Sequence, residues 1–168
     1  MSKDRMMKLL RELLKNSKRS DRDLARILGV SQPTVTRMRR KLERTGYMLE
    51  YTVIPDLTKL GYEIVAFTFM NIIRYDEKTR EPFRNLAEKA HKWAVENPKI
   101  ILGAGGDGLD GKNCMMISLH KDFNDYYRFV SEFRGKWSSH MRDMESFLVS
   151  LKATMIKPFS FRYLETTS

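Results

Sequence analysis

Apolar residues fall at helical spacing three times in the first quarter of the chain. Met6, Leu9, Leu10, Leu13 and Leu14 form one stripe, which predicts a helix over residues 3–16. Leu24, Ala25 and Leu28 form a second, over 21–28. Ser20 is placed to cap its start, Asp23 to complete a capping box, and Gly29 to end it in a left-handed conformation. Val35, Met38 and Leu42 form a third stripe, over 32–45, with Ser31 as its cap, Pro33 tolerated in its first turn and Gly46 at its end. Small Ala25 allows the last two helices to approach closely, and Gly29 makes the sharp turn between them. That is the outline of a helix-turn-helix.

The period then changes. Residues 47–54 are rich in strand formers and stop at Pro55-Asp56, so residues 1–54 read as a winged helix-turn-helix domain and 55–62 as a short linker. Residues 63–73 predict a strand apolar on both faces, with Ile64, Ala66 and Met70 on one and Val65, Phe67 and Phe69 on the other. A helix follows over 81–96, carrying Phe83, Leu86, Ala87, Ala90 and Ala94, and Asn97-Pro98 ends it. A strand over 99–102, a glycine-rich turn and a second strand over 113–120 come next. A helix over 123–141 and a strand over 147–156 close the chain. The order strand-helix-strand-strand-helix-strand predicts a ferredoxin-like (βαββαβ) α/β sandwich over 63–168, and the whole is α+β. Both helices would cover one sheet face. The other, apolar in residues 63–73 and 115–119, is left for a second copy, so a homodimer is expected.

Charge changes the picture more than composition does. The 168 residues carry a net charge of +10. Residues 1–45 hold 14 Lys and Arg against 5 Asp and Glu, so nine of those ten charges lie in the predicted helix-turn-helix. A local excess of this kind is the footprint of a polyanion partner, double-stranded DNA. The single cysteine, Cys114, excludes an internal disulfide framework and fits a reducing cytosol. No signal-type apolar region precedes the first helix, and the longest apolar run, residues 64–73, is about half a membrane span. A cytoplasmic protein without a membrane segment is expected.

The residues Leu24-Ala25, Leu28-Gly29-Val30-Ser31, Arg39-Arg40-Lys41-Leu42-Glu43, Gly46-Tyr47, Val53-Ile54-Pro55-Asp56 and Leu60-Gly61 resemble the Lrp/AsnC family of leucine-responsive and asparagine-type transcription regulators. The resemblance covers nearly the whole chain, because that family pairs such an N-terminal domain with a ferredoxin-like one. It implies dimers that assemble further, to tetramers or octamers, binding at partly palindromic DNA sites, and an amino acid effector held between C-terminal domains.

In the third predicted helix Val35, Met38 and Leu42 point inward, which turns Pro33, Thr36, Arg37, Arg40 and Arg44 away from the core. The first turns of such a helix enter the groove most deeply. Gln32, Thr36 and Arg37 are therefore the candidates for base edges, Arg37 for guanine and Gln32 for adenine. Ser31, Thr34, Arg40, Lys41 and Arg44 are the candidates for phosphates. Arg39 lies on a flank, where a salt bridge and a phosphate contact are both open.

Gly103-Ala104-Gly105-Gly106-Asp107-Gly108 spells GxGxxG, but a dinucleotide site needs a helix next, and here a strand follows. The family resemblance gives Gly103, Ala104, Gly105, Gly106 and Asp107 another role, as an effector site in which backbone N–H groups hold a carboxylate and Asp107 an amino group. Residues 108–113 are an insertion relative to the family pattern. His91, His120 and His140 are far apart and Cys114 has no neighbour at ligand spacing, so neither a metal nor a cofactor is expected and each histidine reads as a surface or helix-face residue. Two rivals remain: a sirohaem-decarboxylase-like enzyme, since those enzymes are similar in domain pair, and a non-specific DNA-packing protein. The arginine-rich third helix and the scarcity of histidines speak against the enzyme.

Overall fold

Three short helices pack their apolar stripes into one core at the N-terminal end of the chain. The computed structural model describes residues 2–73, 82–108 and 110–164. It divides into two compact units, Met1–Ile54 with Lys157–Ser168, and Pro55–Ile156.

In the first unit, α1 (Lys3–Lys15), α2 (Asp21–Leu28) and α3 (Gln32–Arg44) bury Met6, Met7, Leu9, Leu13, Leu24, Ala25, Val35, Met38 and Leu42 together. The Ser20 hydroxyl caps the helix by accepting from the Asp23 backbone N–H at 3.1 Å, and it donates to the Asp23 carboxylate at 2.6 Å, so the carboxylate takes the hydroxyl where a full capping box would take the Ser20 N–H. Gly29 ends α2 at φ +64°, where an L side chain would be strained. Ser31 departs from expectation: its hydroxyl bonds the Thr34 hydroxyl at 2.8 Å instead of capping a backbone N–H.

Residues 47–54 are also corrected. The Met48 N–H returns to the Leu42 carbonyl, and beyond it residues 49–54 are irregular and form no ladder. A strand needs a neighbour to take its backbone groups, and none among the described residues pairs with this one. Leu49 is 91 % exposed as a result. The stretch from Lys157 groups with the first unit, where Phe161–Tyr163 packs against α1.

The second unit is the expected βαββαβ arrangement: β1 (Ile64–Ile72), α4 (Pro82–Glu96), β2 (Ile100–Gly108), β3 (Lys112–His120), α5 (Phe123–Trp137) and β4 (Met141–Ser150). The sheet is antiparallel in the order β2-β3-β1-β4. Met70, Met116, Phe129 and Phe133 form its core, with Trp93 and Trp137 packed against them. Glu81 and the Phe83, Leu86 and Ala87 side chains lie outside the described residues. The linker is a turn, in which the Asp56 carboxylate accepts from the Thr58 N–H and hydroxyl, and it groups with this unit.

Three boundaries move. α5 stops at Trp137, a single 3-10 turn follows, and β4 begins at Met141, six residues earlier than the sequence suggests. Arg142, Asp143 and Glu145 hide that strand in the sequence. Its acidic positions are tolerated because the Lys112 amine, 6 % exposed, reaches Asp143 at 2.9 Å and Glu145 at 3.5 Å. Third, the glycine-rich stretch is a strand and not a turn: Gly103, Ala104 and Gly105 pair with Met116, Met115 and Cys114. The chain reverses later, at Asp110 (φ 55°) and Gly111 (φ 78°), where consecutive positive φ angles suit a tight hairpin. No helix of the described residues is long and apolar enough to cross a membrane.

Candidate nucleic-acid interface

Asp21, the first residue of α2, sets where α3 lies. Its carboxylate accepts from the Thr36 hydroxyl at 2.6 Å and from Arg39 Nη2 and Nε at 2.8 and 3.1 Å. Burial works against this carboxylate, but the hydrogen bonds from Thr36 and then Arg39 outweigh it and hold its pKa below the ordinary value. Arg39 also reaches the Tyr51 hydroxyl at 3.5 Å, and Tyr51 donates to Glu43 at 2.7 Å. Burial, and then that bond to Glu43, push the Tyr51 phenol up. Three side chains of α3 are thereby committed to clasping its neighbours, and Arg39 is a structural cation.

The other flank of α3 is uncommitted. Thr34, Arg37, Arg40, Lys41 and Arg44 line an open basin of about 810 Å3, and Arg5 of α1 completes it. Among the described residues none of these five cations has a carboxylate partner; Arg37 donates to Thr34 Oγ1 at 3.3 Å. Lys15 and Arg19, by contrast, are both paired with Glu12. A concave group of unpaired guanidinium and ammonium groups on one helix face concentrates positive potential where a phosphate backbone can enter.

Of the eight candidates, the basin brings together Thr34, Arg37, Arg40, Lys41 and Arg44. Ser31 and Gln32 are exposed at the start of α3, and Thr36 faces the Asp21 flank. Arg5 and the Asp21–Arg39–Tyr51 network are not apparent from α3 alone. The spacing of Thr36 and Arg39, three residues apart on one flank and opposite an acidic first turn, was the available signal.

Gly103 to Asp107 lie in β2, an edge strand, so the ladder to β3 takes part of their backbone groups. Among the described residues no three His, Cys, Asp or Glu side chains gather as a metal site. His120, expected at a surface or on a helix face, lies at the end of β3 and is fully buried: its Nε2 lies 2.8 Å from Ser118 Oγ and its Nδ1 has no hydrogen-bond partner among the described residues.

A family model for a winged helix-turn-helix DNA-binding domain matches residues 3–47. An HTH-type transcriptional regulator of Pyrococcus horikoshii is 39 % identical over 127 residues, 76 % of this chain and 78 % of that protein. A leucine-responsive regulatory protein of Rhizobium meliloti is 32 % identical over 103 residues, 61 % of this chain and 64 % of its own length. Among solved structures, an AsnC family regulator from Agrobacterium tumefaciens superposes with a TM-score of 0.76 at 19 % identity, covering 95 % of this chain and 94 % of that one. A regulator of Neisseria meningitidis, solved as a complex with L-Met, superposes at 0.75 and 18 % identity, covering 94 % of each chain. The fold is shared with the last two and the sequence with the first two: this chain belongs to the Lrp/AsnC family of helix-turn-helix transcription regulators, which bind DNA through the N-terminal domain.

Proposed function

We propose that the chain is a sequence-specific regulator that acts as a homodimer and reads DNA with α3. The observation that carries this is the basin of unpaired cations on the one flank of α3 not used to hold the fold. Arg37 and Gln32, in the first turns of the helix, read base edges, while Arg40, Lys41, Arg44 and Arg5 hold phosphates, with Ser31 and Thr34 beside them. Thr36 reads a base only by giving up its bond to Asp21, so its role is to position the helix.

Dimerisation is supported by the sheet face that carries no helix of this unit. Phe147, 68 % exposed, and Leu102 lie there with Val65, Phe67, Met115 and Ile117. Apolar surface on that scale marks an interaction site, and a two-fold copy supplies a matching face. An amino acid effector at Gly103–Asp107 is supported by the bare edge of β2 and by the L-Met complex of the Neisseria relative.

Fluorescence anisotropy across a salt series tests the proposal, comparing the gene's own upstream DNA with scrambled DNA of equal length. A preference of about 10³-fold or more, lost in Arg37→Ala/Arg40→Ala, is expected. Equal and steeply salt-dependent binding to both would instead mark a DNA-packing protein. Calorimetry with the twenty amino acids tests the effector; no heat from any of them retires it.

A further inference from the structure

The uncovered face of the sheet carries charge at both ends and apolar side chains between them. Alternation along β1 puts Val65, Phe67, Phe69 and Asn71 on this face, opposite Val149, Phe147, Glu145 and Asp143 of β4. At the end nearest the β2–β3 hairpin, the Lys112 amine serves two carboxylates, Asp143 at 2.9 Å and Glu145 at 3.5 Å. That leaves one negative charge over, and Glu145, 78 % exposed, is the side chain that carries it outward. At the other end Glu63 continues the ladder, its N–H bonded to the His120 carbonyl and its carbonyl to the Leu151 N–H. Its carboxylate takes the Lys152 amine at 2.6 Å, and Lys152, 65 % exposed, has donors to spare.

Both ends are equally far from one cross-strand pair. Phe67 stands four residues from Glu63 and four from Asn71, and its partner Phe147 stands four from Asp143 and four from Leu151. A two-fold axis through this pair and across the strands therefore lays the acidic end of each copy on the Lys152 end of the other. The exposed Phe147 ring then meets its own image at the centre, where the apolar core of an interface belongs, and the charges stand at its rim. An axis along the strands would instead bring the two acidic ends together. Closing the face would then press like charges against each other in a surface withdrawn from water.

We propose that, in the homodimer on which this rests, Glu145 of each copy pairs with Lys152 of the other, so that the strands of the two sheets run oppositely and an identical copy is the preferred partner. The contact is self-complementary, as two-fold symmetry requires: Glu145 meets Lys152 at one rim, and Lys152 meets Glu145 at the other. Rim charges of this kind orient and select a partner, while the apolar centre supplies the affinity.

Sedimentation equilibrium of the full chain tests the pairing. Glu145→Lys alone and Lys152→Glu alone each set like charges at both contacts, and each is expected to weaken self-association about tenfold or more. Mixing the two variants restores opposite charges at both contacts, so a heterodimer forms with close to the wild-type affinity. Mixing changes nothing inside either copy, which separates a contact between copies from damage within one. Self-association of either variant as tight as that of the wild type overturns the proposal, as does a mixture no tighter than its components. Tighter self-association of Glu145→Lys than of the wild type also overturns it, since that places like ends together. In all three cases the homodimer itself stands. A wild-type chain that sediments as a monomer removes both the pairing and the homodimer.

Discussion

Arg37 and Arg40 are neighbours in the same basin, yet the roles proposed for them differ with their places along α3. Arg37→Ala is expected to cost about 1–3 kcal/mol at one base pair and to relax preference there, read by binding to a panel of single-base variants. Arg40→Ala and Arg5→Ala are expected to weaken all DNA alike, each lowering the log–log salt slope by about one. Arg5 separates the basin from a helix-only account, since it comes from α1. At the same scale His120 carries a pH prediction. Burial first, and then Lys99, outweigh the attraction of Asp125 and hold its pKa down to about 4, from an ordinary 6.5. The unfolded chain therefore takes up a proton below pH 6.5 that the native one refuses until near pH 4. Stability is full above that window and falls by on the order of 3 kcal/mol as the pH drops through it. Denaturant melts from pH 7 to 4 should show this fall, and His120→Gln should flatten it.

At the level of elements, α2 rests on its capping box. Ser20→Ala removes the side-chain acceptor for the Asp23 N–H, which costs about 1 kcal/mol and lowers the midpoint of thermal unfolding by about 4–8 °C for a unit of this size. Scanning calorimetry checks it. The three helices were legible from their apolar stripes, and at α2 a cap and a terminating glycine agree with the stripe. β4 was not: its first half alternates with charged residues, and the lysine that neutralises two of them comes from another strand, at a sequence separation no local pattern encodes. The β2 glycines misled for a related reason. Glycine is the usual residue of a turn, but here it fills a strand, and the reversal falls to Asp110 and Gly111. Within the basin, the exposed residues of α3 were legible from helical period alone. Arg5 and the Asp21 clasp depend on how helices pack, which period does not report.

For the whole molecule, the uneven charge is the largest legible feature: nine of ten excess positive charges lie in the first 45 residues. Equally visible was the two-sided apolar character of β1, from which the uncovered sheet face follows. Phe147→Asp places a charge on that face. It is expected to shift sedimentation toward the monomer while leaving the first unit folded, and to weaken specific DNA binding more than non-specific binding, because a dimer engages two half-sites at once. An unchanged sedimentation coefficient would remove this face from the interface. The Tyr51 hydroxyl carries a last consequence. It is fastened to Arg39 and Glu43 on α3, and it stands four residues before Pro55, where the second unit begins. A pull on the chain at that boundary therefore has only a few residues of slack before it reaches α3, the helix proposed to read DNA. Whatever tightens or loosens the connection has a short mechanical line to the reading head, and Tyr51→Phe is the cut that would slacken it.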